Sequence, residues 1–421
     1  MWRKVKNIIG KSKPPTLPTL NVNGVITNDP IVTSNTLAKH FQDVSSNEQY
    51  SIEFQEEKTQ SESQPVVFED DDTKPYNNAF TYQELERALN KCKDTAPGSD
   101  GITYSMLKNL TIEIKVKLLS IYNNIWEKGN YPQQWKVTTI IALPKENKDL
   151  SNPENFRPIT LSSCIGKILE SMINYRLISV LEKEKRISDY QAGFRRGYST
   201  IDHLTYLDEI INKAFTETQH TFVVFFDLQK AFDTVWKHYI MKTLKAWGLK
   251  GRLPRIIQSF LEERKFRVRV GDIYSGIYEQ QNGIPQGSVF STTLFLIAIN
   301  GIADEISRTS KTMLYVDDLA IAVNGTDNIK MENILQRDIN KVVLEAEKRG
   351  LRFSTQKTVC MHFCRLRRRH GEPTLMLKNC AIPVVSEHKF LGLVFDRKLT
   401  WKSHIEKLVG SCKTTLNRIK A

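Results

Sequence analysis

No apolar run in this chain approaches the roughly 20 residues that a membrane span needs. The first residues also lack the apolar core of a secretory leader. Both absences predict an intracellular protein of the nucleus or cytoplasm, with no membrane partner. Cysteine is sparse: Cys92, Cys164, Cys360, Cys364, Cys380 and Cys412 are scattered over 421 residues, which suggests no disulfide framework. Cys360, His362 and Cys364 alternate along a predicted strand and so share a face. No second close pair completes a metal set there, so packing is their expected role. Internal repeats are absent, which excludes a solenoid. Acid is in short supply overall, with 47 Asp+Glu against 60 Lys+Arg and a net charge of +13. That balance suits a polyanionic partner, and the length allows a substantial core.

Against that basic background, two places concentrate acid inside apolar sequence. Asp317 and Asp318 follow Tyr315-Val316 and separate the apolar runs Thr312–Val316 and Leu319–Val323. The stretch predicts a hairpin with the acids at its turn. Asp is common at turns because its side chain bonds the local backbone, so an ordinary acidic turn is one reading. The second place weakens that reading. Phe222–Phe226 is a run of five apolar residues, the composition of a buried strand, and it ends in Asp227. A carboxylate there is costly unless it is paired or bound to a cation. Three carboxylates on neighbouring strand ends would raise one another's pKa values. Hard divalent cations relieve this, taking carboxylate oxygens together with substrate phosphates. The pattern predicts a two-metal site for phosphoryl transfer, with Asp227, Asp317 and Asp318 as ligands.

The rest of the chain is less specific. Residues 1–76 divide into a basic, proline-containing linker, a short strand and helix within 22–44, and a polar, acidic stretch over 45–76 expected to be largely disordered. Order is expected from the Thr81/Glu84 capping box. Lys145 closes a strand, and Arg157 precedes Pro158, where extended backbone would present a planar guanidinium to a triphosphate; a surface arginine in a turn is the commoner case. Gln191–Gly197 is a basic glycine loop able to follow a phosphate backbone, or simply a solvated loop. Arg252, Arg255, Arg264, Lys265, Arg267 and Arg269, with Phe260 and Phe266 between them, suit a duplex-binding face or plain solvated surface. Gly283–Ser288 is a loop whose glycines permit close approach. Arg365–His370 is a basic tip, and Phe390–Phe395 has strand composition.

These motifs, in this order, resemble the reverse transcriptase domain of LINE-type non-LTR retrotransposons, most like the jockey group, from about Ala79 to about Leu408. The resemblance implies an α+β fold, the right-hand polymerase: fingers and palm, a palm antiparallel sheet packed on helices, and a truncated thumb. It places fingers and the start of the palm at 77–220, the reverse transcriptase core at 127–395 and the start of the thumb at 396–421. It implies that Asp227, Asp317 and Asp318 are the catalytic acids. Phe232 would be the sugar-discriminating residue. Arg157 and Lys145 would lie near the triphosphate, Gln286 and Gly287 under the nucleotide, and Lys357 where it assists pyrophosphate departure. Phe390-Leu391-Gly392 would grip the primer. Cofactors would be two Mg²⁺ ions, with Mn²⁺ as a substitute; partners would be an RNA template, the element RNA, a DNA primer and dNTPs. The chain departs from the family at Val316, usually a small residue, and at Phe290-Ser291-Thr292, usually Leu-Gly-Pro. The endonuclease domain that usually precedes this region is not in the sequence. Two other readings stand beside an active polymerase: an inactive nucleic-acid-binding remnant, and an intron maturase.

Overall fold

The computed structural model describes residues 18–22, 24–71, 73–145, 148–366 and 371–420. Most of the predicted N-terminal linker and Arg367–His370 of the basic tip lie outside these residues. The described residues fall into two compact units, each discontinuous in sequence. One takes in Ser188–Gln229 and Asn300–Ala421, the other Leu17–Ile187 and Lys230–Ile299. Helices alternate with antiparallel and mixed sheets throughout, an α+β architecture. No helix among the described residues is long and apolar enough to cross a membrane.

The first unit is built on a five-stranded sheet. Its strands run in the order Val384–Val385, Val359–Phe363, His220–Phe226, Asp318–Gly325, Lys311–Tyr315. His220–Phe226 is buried at every position, as a strand with neighbours on both edges and both faces must be. It pairs antiparallel with Asp318–Gly325 on one side and Val359–Phe363 on the other. Alternation sends Val223, Phe225, Ala320, Ala322, Met361 and Phe363 to one face, where they meet Leu207, Ile210 and Ile211 of the helix Thr200–Thr216. Phe390–Phe395 is not one strand. Glu387–Phe390 and Leu393–Asp396 form a hairpin about Leu391-Gly392, which have φ of 46° and 97°. Continuous apolar sequence concealed a two-residue turn in which both central residues adopt positive φ.

In the second unit, Val137–Pro144 pairs antiparallel with Phe156–Leu161 and parallel with Lys265–Val270. The helix Pro30–Val44 covers this sheet through Leu37, Ala38 and Phe41. The Thr81/Glu84 capping box forms as predicted. Residues 45–76 correct the expectation of disorder. Ser51 caps a helix over Ile52–Glu62, and Tyr50 and Phe54 pack with Trp236. Trp236 Nε1 donates to Glu62 Oε1 at 2.8 Å. Few apolar residues are present, but Tyr50, Phe54, Val66 and Phe68 are buried, and composition averaged over thirty residues does not register two aromatic anchors. The basic stretch after Gly251 is also partly structural. Arg264 is buried and stacks on Phe260, Arg252 Nη1 donates to Asn77 O, and Arg255 pairs with Asp70.

Candidate active site

The three predicted acids come together within the first unit. Leu319 pairs with Phe226, so one step further along the antiparallel register Asp318 lies opposite Asp227. Asp318 also pairs with Tyr315, leaving Val316-Asp317 as a two-residue turn. Val316 takes φ of 62°. A positive φ at the first turn residue alone fits a type II′ turn, a position normally given to glycine. For a β-branched residue it is strained.

That strain is held by Gln191. Its Oε1 accepts from Val316 N at 3.0 Å and from Gly193 N at 2.8 Å, and its Nε2 donates to Val316 O at 3.3 Å. Both backbone groups of the strained residue are therefore satisfied by one carboxamide, which is almost wholly buried. Ala192 N and His203 Nε2 further bond Leu314 O. A Cβ on Gly193 would meet Val316 N at 2.5 Å, so only glycine lets the two segments approach. The Gln191–Gly197 segment, considered from sequence as a loop against phosphate, thus has its first residues packed on the acid turn. Nothing in the sequence pattern marks Gln191 for this, because its partner lies 125 residues away.

The carboxyls themselves are poorly served. Asp227 Oδ2 is closed off from solvent and accepts no hydrogen bond among the described residues. Its cationic neighbour is Lys357 Nζ at 3.4 Å, on a side chain 72% exposed. Loss of surrounding water raises the pKa of Asp317, and the charge of Asp227 adds to the rise. Asp318 keeps exposed surface, yet loss of water around its carboxyl and the charges of Asp317 and Asp227 push it up to about 6. His388 stacks near Phe225, and burial lowers its pKa against the field of Asp227. Phe390 also packs on Phe225, at 5.1 Å between ring centres. A shielded oxygen with only a long contact to an exposed lysine, beside two carboxyls whose pKa values are raised, fits a divalent cation: hard oxygen ligands that repel one another are what Mg²⁺ accepts.

Five other predicted residues belong to the second unit. Arg157 is exposed on the strand Phe156–Leu161, opposite Leu143, and its guanidinium makes no ion pair or hydrogen bond among the described residues. Lys145 Nζ donates to Glu154 O at 2.6 Å. Phe232 is half-buried, with its ring stacked on Phe295 at 4.4 Å and 14°. Gln286 Nε2 donates to Asp233 Oδ1 at 2.9 Å, while burial pushes Asp233 up to about 6. Ile284 N bonds Phe232 O, and Thr160 N bonds Gln286 O. Gly287 has φ of 120°, and a Cβ there would meet Thr160 O at 2.7 Å. The Gly283–Ser288 loop is thus laced to both Phe232–Val235 and the Phe156–Leu161 strand.

Comparison with known proteins gives one consistent result. The family described as "Reverse transcriptase (RNA-dependent DNA polymerase)" matches residues 143–395. The chain is 28% identical over 331 residues to "Probable RNA-directed DNA polymerase from transposon BS" of Drosophila melanogaster, covering 77% of this chain and 36% of that protein. It is 28% identical over 349 residues to "RNA-directed DNA polymerase from mobile element jockey" of the same species, covering 81% and 38%. A third relative, "Probable RNA-directed DNA polymerase from transposon X-element", also of Drosophila melanogaster, is 28% identical over 361 residues, covering 83% and 38%. The chain thus spans under two-fifths of the length of these relatives.

Proposed function

The chain belongs to the reverse transcriptase (RNA-dependent DNA polymerase) family, and from that premise we propose that it is the RNA-directed DNA polymerase part of a non-LTR retrotransposon protein. It extends a DNA primer 3′-OH with dNTPs on an RNA template, the natural template being the element RNA. One observation carries the reading: three carboxyls meet at neighbouring strand ends, with Asp227 Oδ2 shielded and accepting no hydrogen bond among the described residues, its cationic neighbour an exposed lysine at 3.4 Å. Asp227 and Asp317 would hold two Mg²⁺ ions, with Asp318 in support. When bound, such ions lower the pKa of the primer hydroxyl and neutralise charge on the triphosphate. The remaining work falls to the chain's own groups. The planar fork of Arg157 binds triphosphate oxygens in pairs, and Lys145 adds a point charge. Phe232 lies under the sugar and leaves no room for a 2′-OH. Gln286 and Gly287 support the nucleotide from below. Lys357 attends the leaving pyrophosphate, and Phe390-Leu391-Gly392 holds the primer end.

In right-hand terms, the five-stranded sheet of the first unit is the palm, the Val137–Leu161 hairpin belongs to the fingers and Lys402–Lys420 begins the thumb. Template choice comes from base pairing, so protein contacts go mainly to backbone and shape. The test is primer extension on poly(rA)/oligo(dT) with Mg²⁺, comparing the chain with Asp317→Ala. Extension by the former alone supports the reading; extension by neither refutes it for this chain.

A further inference from the structure

Cys360, His362 and Cys364 give no more than an alternating strand face in sequence. Folding adds a partner from another strand. His362 pairs with Phe222 and Phe363 with Thr221, so the same register sets Cys364 opposite His220. His220, His362 and Cys364 therefore share one face of the sheet, and all three are buried. One ligand atom from each lies within 4.8 Å of the others. His220 Nδ1 and His362 Nε2 are 2.8 Å apart.

We propose that His220, His362 and Cys364 form a structural metal site that takes Zn²⁺. The donor set of two imidazoles and a thiolate suits borderline-soft zinc rather than Mg²⁺, which demands oxygen. Second-layer contacts follow the same pattern. Glu372 Oε2 is 3.1 Å from His362 Nδ1, which makes that nitrogen the donor and leaves the Nε2 lone pair facing His220. A carboxylate on the far nitrogen is the usual support of a zinc-bound histidine. Arg397 in turn holds Glu372 and donates through Nε to His362 O at 3.1 Å. Leu366 N donates to Cys364 Sγ at 3.3 Å.

Nitrogen atoms on one tetrahedral zinc, at about 2.0–2.1 Å from it, stand about 3.3 Å apart. His220 and His362 need open by only about half an ångström. On binding, the ion replaces the hydrogen bond between the imidazoles: neutral His220 moves its proton from Nδ1 to Nε2 by exchange with solvent, and the Cys364 thiol releases its proton to solvent. The cluster supplies three of the four positions of a tetrahedral ion. The site sits at the end of the strand His220–Phe226 opposite Asp227, about 20 Å away at strand rise. It therefore ties two neighbouring strands of the sheet together without touching the polymerase acids.

The test uses the full chain, purified from zinc-supplemented medium, dialysed and assayed for zinc with Mg²⁺ in excess. We expect one zinc per chain, retained in Asp317→Asn and lost in Cys364→Ser. Glu372→Gln weakens zinc affinity by about 10–100-fold. Replacement of zinc by Co²⁺ gives a near-ultraviolet thiolate-to-cobalt charge-transfer band. That band in the unmutated chain decides the matter even if Cys364→Ser fails to fold. A chain that holds no zinc, or binds Co²⁺ without the thiolate band, overturns the proposal and leaves a hydrogen-bonded histidine pair.

Discussion

Glu170 and the group Asp227, Asp317 and Asp318 are acids withdrawn from water, and the chain treats them in opposite ways. Glu170 is 1% exposed and fully served. It accepts from Tyr131 Oη at 2.8 Å, Ser288 Oγ at 2.6 Å and Val289 N at 2.9 Å. Those bonds anchor the loop Gly283–Ser288 to the long helix Cys164–Lys183. Asp227, by contrast, leaves Oδ2 shielded with no hydrogen bond among the described residues and only a 3.4 Å contact to the exposed Lys357, and the pKa values of Asp317 and Asp318 are raised. An acid that serves the fold is satisfied by the fold. Acids left unsatisfied on a rigid sheet cost stability, and that cost is expected where a ligand from outside makes up the difference.

The largest effect that could break this contrast is on activity. Asp227→Ala or Asp317→Ala should lower primer extension by about a thousandfold or more, on the order of 4 kcal/mol of transition-state stabilisation, while duplex binding measured by fluorescence anisotropy stays near that of the unmutated chain. Extension by either variant at a normal rate would return these acids to the class of turn residues. Glu170→Ala should show the reverse pattern. Loss of three hydrogen bonds to a buried carboxylate should cost about 2–4 kcal/mol in urea unfolding; a loss under about 0.5 kcal/mol would mean its donors find other partners.

Gln191 lies between the two cases, since it serves the fold in order to aim the acids. Gln191→Leu strands the backbone of Val316 and should lower kcat by about 10–100-fold through misplacement, with KM for primer–template little changed. A fall in folded fraction alone, at constant kcat per folded molecule, would make Gln191 purely structural. Phe232 is a smaller and finer test. Its stack on Phe295 gives it a packing role beside the proposed gate. Phe232→Val should raise the rNTP/dNTP ratio of kcat/KM by about 10–100-fold, the range one clash in a fitted pocket supports. An unchanged ratio with a loss of stability would assign the ring to packing only.

The sheet and its acids were legible in the sequence because the signals were local. Phe222–Phe226 is too apolar to lie on an edge, and Asp227 ends it; Asp317 and Asp318 divide two strand-like runs. Thr81 and Glu84 announced their helix by spacing alone. Contacts between distant segments were not legible. Gln191 clasps a turn 125 residues further on, and His220 supplies an imidazole to His362 across 142 residues. The helix Ile52–Glu62 depends on Trp236 for its docking surface, which no window around residue 55 contains. The arginines at 252, 255 and 264 seemed one basic face by charge, but their geometry turns them to backbone, acid and ring.

The acids' resistance to ionisation also fixes the sign of a pH effect. Asp318 has a folded pKa raised to about 6 from an ordinary 3.8, so the folded chain binds its proton more tightly than the unfolded chain does. The contribution favours folding below about pH 4 and is lost as pH rises through 6. A bound cation should reverse the penalty, and its affinity should fall as pH drops below 6. The most direct measurement is therefore the thermal midpoint of the chain and of Asp318→Asn at pH 7.5, with and without Mg²⁺. Without metal, Asp318→Asn should melt about 2 °C higher, under about 1 kcal/mol once screening is allowed for. With Mg²⁺, the unmutated chain should gain more than the variant and close or invert that gap. A variant no more stable than the unmutated chain without metal, and a Mg²⁺ response equal in both, would contradict the account.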